Sequence, residues 1–543
     1  MKKLNLVLTA LLAFTSTLLA QPPKVAVVIV LDQFPYSYIQ RFQPYFSKNG
    51  GINYLLQHGA NFVNAEYEHA FTKTSPGHAA ISTGTYSNTN GIIGNDWYDR
   101  AKKKRIGCVN DDSAKVIGNN SGGRSPKNLL TYTIGDMLRL QTNFHSKVIA
   151  VSNKDRAAIL MAGKFGIAYW TEDSLFVTST YYMQALPDYI REFNSVGFLK
   201  KYFGIAWKEG NAEAATFLCD DDDVPYEANW AKINKKFPHI IVGENSSTIT
   251  PSYYIALNHS PFATESLLEF ARKVFKAESL GMHGVTDFLC IGVSATDEIG
   301  HAFGPNSHET FDNILKTDEM LGQFFSFLEK QIGLENCLIA LSSDHGIAPI
   351  PEYLRKRSPN STAGRVKSRE IVKFAERVLQ NKLGNPSGKN WIEQIVECDI
   401  YLNRDVMREY NISPDSAMRV LKDSLLSLPF IADVITRDEI ENGNFCTPLS
   451  KKVEKTFHPQ RSGDVIYLLK PYNIMSGDSV GSNHGQPYEY DSHVPLILFG
   501  RNFKQGIYYE QASPIDIAAT LAAALGIDSP PTREGRILKE AMK

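Results

Sequence analysis

Three uninterrupted apolar runs, each ending in an acidic residue, constrain the fold of this chain more than any other feature. KVAVVIVL (24–31) is followed by Asp32, DFLCIGVSA (287–295) by Thr296-Asp297, and CLIALS (337–342) by Ser343-Asp344-His345. A strand with one wet face alternates apolar and polar residues, whereas a continuous β-branched run is the pattern of a strand covered on both faces. Helical patterns lie between the runs, at 266–278 and 311–331. Together they predict an α/β doubly wound, mostly parallel central sheet flanked by helices. In such sheets a ligand sits beyond the carboxyl ends of the strands, where the acidic residues fall.

The chain has 543 residues, 43% hydrophobic and 21% charged, which is ample for a large core and excludes a disordered polymer. Lys2 and Lys3 precede an apolar run from Leu4 that ends in small residues and Ala20, so residues 1–20 read as a cleaved export signal. Leu18 departs from the usual small residue three positions before the cut. No other stretch approaches the eighteen apolar residues of a membrane span. The mature chain is therefore expected to be soluble, and periplasmic or secreted. The formal charge of −1, with no long basic or acidic block, argues against nucleic acid as a partner. Six cysteines stand far apart without a C-x-x-C pair, which disfavours a thiolate zinc site and identifies no disulfide.

Any one strand-terminal Asp serves equally well as a helix cap or a turn residue. Their combination with histidine carries the argument. Asp297 and His301 are spaced i, i+4 in TDEIGHAFG, so one helical turn puts both on one side. Asp344 and His345 are adjacent, and Gly346 suits a loop whose backbone must approach something closely. His484 precedes another apolar run near Val494; His493 stands beside the same run, but Gly485 favours His484. Three carboxylates and three imidazoles at strand ends make a pair of zinc sites, and the same ligands would accept manganese or cobalt. In FTKTSPGHAAISTG (71–84), Thr74 stands two residues before a proline, a helix-start signature that favours an anion. Alone it would be a cap; beside metal ligands it becomes a candidate nucleophile, because coordination activates a hydroxyl.

KTSPGHAAISTG, TDEIGHAFGP, SSDHG and His484-Gly485, in this order, resemble the motifs of the alkaline phosphatase superfamily, in particular its phosphate-irrepressible, PafA-like members. The C-terminal SPIDIAATLAAALGIDSPPTREGRIL resembles the helix and Gly-Arg turn that close the superfamily's sheet. The resemblance implies two Zn²⁺ per chain, one held by Asp32, Asp344, His345 and Thr74, the other by Asp297, His301 and His484. It implies attack by Thr74 on phosphorus, a phosphothreonine intermediate, and net retention at phosphorus through two inversions. Lys154 and Arg156, in SNKDRAAILMAG (152–163), match cations that contact phosphate oxygens, and Asn95 matches a phosphate-binding asparagine. By themselves these are a solvated charge cluster and a turn residue.

The expected substrates are therefore small phosphate monoesters, whose dianion has one more charged oxygen than a diester. Nucleotide pyrophosphatase/phosphodiesterases share the metal ligands but lack the Lys-x-Arg pair, so phosphodiesterase is the alternative. A metal-stabilised binding protein without turnover is a third reading, disfavoured because the second site has three protein ligands and an open position. No C-x-P-x-R sequence supports a sulfatase. Residues 21–543 are expected to form one catalytic domain, with insertions at about 165–280 and 350–480 that roof the site and shape the leaving-group pocket. CDDDD (219–223) lacks the ligand spacing of a calcium loop. Oligomeric state is not fixed by sequence, and a monomer would suffice.

Overall fold

A computed structural model describes residues 22–445 and 447–543; the expected export signal and Cys446 lie outside the described residues. Ten strands form the main sheet: β1 (Val25–Leu31), β2 (Ala60–Phe62), β3 (Val116–Ile117), β4 (Val148–Ser152), β5 (Ile167–Glu172), β6 (Leu175–Ser179), β7 (Asp287–Val293), β8 (Cys337–Ser342), β9 (Leu496–Phe499) and β10 (Gly506–Tyr508). Their spatial order is β10-β2-β9-β8-β1-β7-β4-β5-β6-β3. The five central strands, β8-β1-β7-β4-β5, run parallel, and antiparallel β9 and β6 flank them. The three apolar runs are thus neighbours at the middle of the sheet.

Parallel pairing in register decides where the strands end. Leu31 pairs with Val293, Val30 with Ser342, and Gly292 with Ser152. Whatever follows β1, β4, β7 and β8 consequently emerges at one edge.

Both faces of the sheet are covered. Six helices matter to the site or the core: α1 (Thr74–Thr83), α2 (Asp155–Ala162), α3 (Pro261–Ala277), α4 (Ala295–Phe303), α5 (His308–Ile332) and α6 (Asp516–Leu525). Val25, Val27, Ile29 and Leu31 belong to one apolar core with Leu267 and Phe270 of α3 and Phe324 and Leu328 of α5. Ala26, Val28 and Val30 belong to the opposite core, with Ile81 of α1, Ile159 of α2 and Leu521 of α6. The strand alternation delivers successive side chains to opposite faces, and each Val, Leu or Ile so buried contributes roughly 1.5–3 kcal/mol. Helix α5 starts where Ser307 Oγ accepts the Thr310 N–H (3.1 Å), and α3 starts on Pro261.

Residues 167–179, within the stretch read as the first insertion, form two strands of the main sheet. The rest of that stretch packs Phe193, Tyr202, Trp207 and Tyr253 onto the first core. The second stretch has a core of its own. Four strands, in the order Ile392–Val396, Asp399–Leu402, Val465–Leu469, Ile431–Thr436, form an antiparallel sheet covered by helices Ser368–Leu383 and Pro414–Leu425. Ala70 and Phe71, just ahead of α1, join this smaller core and so tie the cap to the start of that helix. Cys108, Cys219, Cys290, Cys337 and Cys398 are buried free thiols.

Leu421 is fully buried in the cap core. Leu421→Ala should cost about 2–5 kcal/mol of cap stability. Hydrogen exchange should then quicken across residues 366–469 while β1 amides keep their protection; equal loss in β1 would show that cap and sheet unfold as one unit.

Candidate metal centre and anion site

Asp32 leaves β1 with its backbone N–H donating to Val293 O of β7 (3.0 Å). Gln33 then adopts φ +61°, a left-handed conformation uncommon for a residue with a side chain. The turn aims two amides at the loop after β8. Gln33 N–H donates to Asp344 Oδ1 (3.1 Å) and Phe34 N–H to Ser343 Oγ (2.9 Å). His345 N–H donates to the same Asp344 Oδ1 (3.0 Å), so that oxygen is held by two amides and Oδ2 faces His78 Nδ1 (3.2 Å) and His345 Nε2 (3.6 Å).

Asp297 stands in the first turn of α4 with His301 one turn on, Nε2 to Oδ1 3.2 Å. Gln33 Nε2 donates to Asp297 Oδ1 (2.6 Å), linking the end of β1 to α4. Glycine at 300 makes that link possible, since a Cβ there would lie 1.9 Å from Gln33 Oε1. His484 comes from the loop ahead of β9; its ring stacks on His345 at 3.6 Å, and its Nε2 is 3.7 Å from Asp297 Oδ1.

The three imidazoles are oriented alike. Nδ1 of His301 meets Ser482 O (2.9 Å), Nδ1 of His345 meets Gly346 O (2.9 Å), and Nδ1 of His484 meets Thr72 O (2.7 Å). A carbonyl oxygen only accepts, so each Nδ1 carries a proton and each Nε2 is left facing the cluster, where a metal would take its lone pair. One ligand atom each from Asp32, Asp344 and His345 lies within 4.8 Å of the others, and the same holds for Asp297, His345 and His484. Asp32 Oδ1, Asp344 Oδ2 and His345 Nε2 are buried without a hydrogen-bond partner. Orphaned inward-facing carboxylate and imidazole atoms of this kind fit a divalent metal with mixed O and N ligands. His345 stands in both groups, and His301 borders the second through Asp297.

Burial, then the charges of Asp297 and Asp344, pushes the Asp32 carboxyl well above its ordinary range. Against the same burial, His301 and Lys154 hold Asp297 well below its range, and His345 and His78 hold Asp344 low. Burial also pushes His345 down, and His484 further, where His345 and Lys73 add to the effect. Against its burial, the Asp297 carboxylate pushes His301 the other way, up, so the neutral imidazole that binds metal is favoured at His345 and His484.

Thr74 is the first residue of α1 and is buried, and among the described residues its hydroxyl has no hydrogen-bond partner. The helix start is pressed onto the loop after β8: a Cβ at Gly77 would lie 2.3 Å from Asp344 O. Next to Thr74, the Ser75 N–H (3.0 Å) and hydroxyl (2.8 Å) both donate to Asn95 Oδ1. An amide N–H must face an oxygen, so Asn95 Nδ2 is turned away from Ser75 and is free to donate.

Lys154 follows β4, and its ammonium donates to Asp32 Oδ2 (2.7 Å) and to Asp297 Oδ2, one carboxylate from each group. Arg156 is differently placed. Asp155 is taken by Arg124 Nε (2.7 Å), leaving Arg156 Nη1 3.9 Å from Asp155 and its Nε buried without a partner. All ten residues singled out from sequence therefore stand at or beside the common strand edge. His493 lies near the same edge, but its ring is engaged elsewhere: it stacks on Tyr36 and meets Val63 O (2.8 Å). His239, His283 and His308 pair with Glu309, Asp287 and Glu209. Gln33, Ser75, His78 and Ser343 are contributors that the sequence reading missed. His78, at i+4 from Thr74, had a detectable spacing; the others act through tertiary contacts.

Residues 26–486 match the family described as type I phosphodiesterase / nucleotide pyrophosphatase. The chain is 33% identical over 528 residues to alkaline phosphatase PhoV of Synechococcus elongatus, covering 96% of this chain and 93% of PhoV. It is 32% identical over 532 residues to a Myroides odoratus protein named calcium-transporting ATPase, covering 96% and 95%. The crystal structure of alkaline phosphatase PafA, a protein of Elizabethkingia meningoseptica, superposes with a TM-score of 0.89 at 30% identity, covering 96% of this chain and 99% of that one.

Gly77→Ala forces the start of α1 off the Asp344 loop. It should cost about 1–3 kcal/mol, read as a lower urea midpoint. An unchanged midpoint would show that α1 is not seated on that loop.

Proposed function

This chain belongs to the family of type I phosphodiesterases and nucleotide pyrophosphatases, on its PafA-like alkaline phosphatase branch, and we propose that it is an exported, zinc-dependent phosphate monoester hydrolase. One observation carries the reading. Two groups of carboxylate and imidazole atoms converge beside a buried threonine, at the start of a helix, whose hydroxyl has no hydrogen-bond partner among the described residues.

Asp32, Asp344, His345 and Thr74 would hold one zinc and Asp297, His301 and His484 the other. Bound there, the ions would supply Lewis-acid stabilisation of charge on the attacking and leaving oxygens. Thr74 Oγ1, having released its proton to solvent, attacks phosphorus in line with the ester oxygen; the ester P–O bond breaks as the Thr74 O–P bond forms, and the departing oxygen takes a proton from water. The positive end of α1 favours the anion. Asn95, fixed through Oδ1 by Ser75, offers Nδ2 to a phosphate oxygen. Lys154 and Arg156 bring two cations to the extra charged oxygen of a monoester, which is the specificity argument against diesters. Water then attacks the phosphothreonine from the side the leaving group vacated, and the second inversion restores the configuration at phosphorus. A solved variant of PafA is altered at one Thr, one Asn, one Lys and one Arg, the same four residue types in the same order as Thr74, Asn95, Lys154 and Arg156. All ten residues come from one chain, so a monomer suffices. Export rests on the N-terminal sequence.

Thr74→Ala should lower kcat on an aryl phosphate monoester by about 10³-fold or more while zinc content is kept. Wild-type activity in that variant would remove the covalent step. Dialysis against a chelator should abolish turnover and added zinc restore it. Lys154→Ala with Arg156→Ala should lower monoester kcat/KM by at least about 100-fold and the matching methyl aryl diester far less. A wild-type preference for the diester would make the enzyme a phosphodiesterase on the same scaffold.

A further inference from the structure

The cap borders the site with an open cleft of about 370 Å³, whose lining includes Arg105, Lys367, Arg369, Glu397, Met475 and Asn483. It adjoins the metal centre through two shared lining residues. Glu397 and Met475 also line the narrow gap that contains Lys73, Asp96 and His484. Asp96 adjoins Asn95, and Lys73 adjoins Thr74.

The charges of this cleft do not balance. Arg105 is bonded to Asp96 (2.7 Å) and Glu397 is paired with Lys73 (3.4 Å). The side chains of Lys367 and Arg369 have no hydrogen bond or ion pair among the described residues. Two uncompensated cations therefore line a concave surface next to the reacting centre, where low-dielectric walls focus their field. Solvated surface cations normally sit on convex ground and act singly; here both line one concavity. The cations come from the cap, a separate core on the same chain, while Thr74, Asn95, Lys154 and Arg156 come from the main body.

We infer that this cleft is a leaving-group subsite that selects phosphate monoesters whose leaving group carries a second anionic group. The inference rests on the monoesterase reading above and adds a substrate class to it. Lys367 and Arg369 bind the distal anion, and the phosphoryl group being cleaved stays with Asn95, Lys154 and Arg156.

The test compares 4-(phosphonomethyl)phenyl phosphate with 4-methylphenyl phosphate on the zinc-loaded enzyme. The carbon-bound phosphonate is not hydrolysed, so only one end reacts, and the ratio of the two kcat/KM values reports the distal charge. Lys367→Ala with Arg369→Ala should lower that ratio about three- to tenfold, the size expected of two partly exposed ionic contacts. Lys367→Glu with Arg369→Glu should lower it further, and rising salt should shrink the wild-type advantage. An unchanged ratio in both double variants overturns the subsite. If the wild-type enzyme hydrolyses neither ester, it is the monoesterase reading that fails.

Discussion

Three carboxylates are brought together where water is scarce, and much of the surrounding structure answers that one electrostatic demand. Parallel pairing in register ends β1, β7 and β8 at one edge, so Asp32, Asp297 and Asp344 emerge together and are almost fully buried. Leaving such charges uncompensated costs several kcal/mol each. The chain supplies partial compensation: two amides on Asp344 Oδ1, the Gln33 amide on Asp297, and the Lys154 ammonium between Asp32 and Asp297. The oxygens left over, with the Nε2 of His345, are the atoms a divalent cation would satisfy. Catalytic capacity and structural demand thus have the same origin in the sheet.

The central fold was legible because its strands are continuous β-branched runs, which few other environments accept. The runs at 24–31, 287–295 and 337–342 correspond to β1, β7 and β8; the helical pattern at 266–278 covers the C-terminal part of α3 and its C-cap, and that at 311–331 the inner part of α5. The edges were less legible. β2, β3 and β10 have two or three residues each, too short for any periodicity to register. Residues 167–179 read as part of an insertion because they lie in a long stretch between motifs, and their two strands, IAYWTE and LFVTS, are short and carry polar ends.

The site shows the same division. Asp32, Asp344 and His345 directly follow strands, and Asp297 with His301 shares a helical face, so chain position alone points to a common edge. Gln33 could not be found that way, since its role depends on a left-handed turn and on Gly300 across the cluster. Ser75 matters only because Asn95, twenty residues on, folds back to meet it. The orientation of the imidazoles is likewise invisible in sequence, because the three carbonyls that fix it belong to Ser482, Gly346 and Thr72. The cap extends this logic outward: through Ala70 and Phe71 its core reaches the segment that leads into α1, placing Glu397 against Lys73 at the mouth of the site.

The central claim is that the strand edge holds a phosphoryl group for attack by Thr74 itself, and stereochemistry tests it most directly. The zinc-loaded enzyme would transfer phosphate from an isotopically chiral monoester to an acceptor alcohol, and the configuration of the product would be read by phosphorus NMR. Two displacements through Thr74 predict net retention. Net inversion would mean that the acceptor attacks the ester directly, and Thr74 would then be a helix-start residue and nothing more.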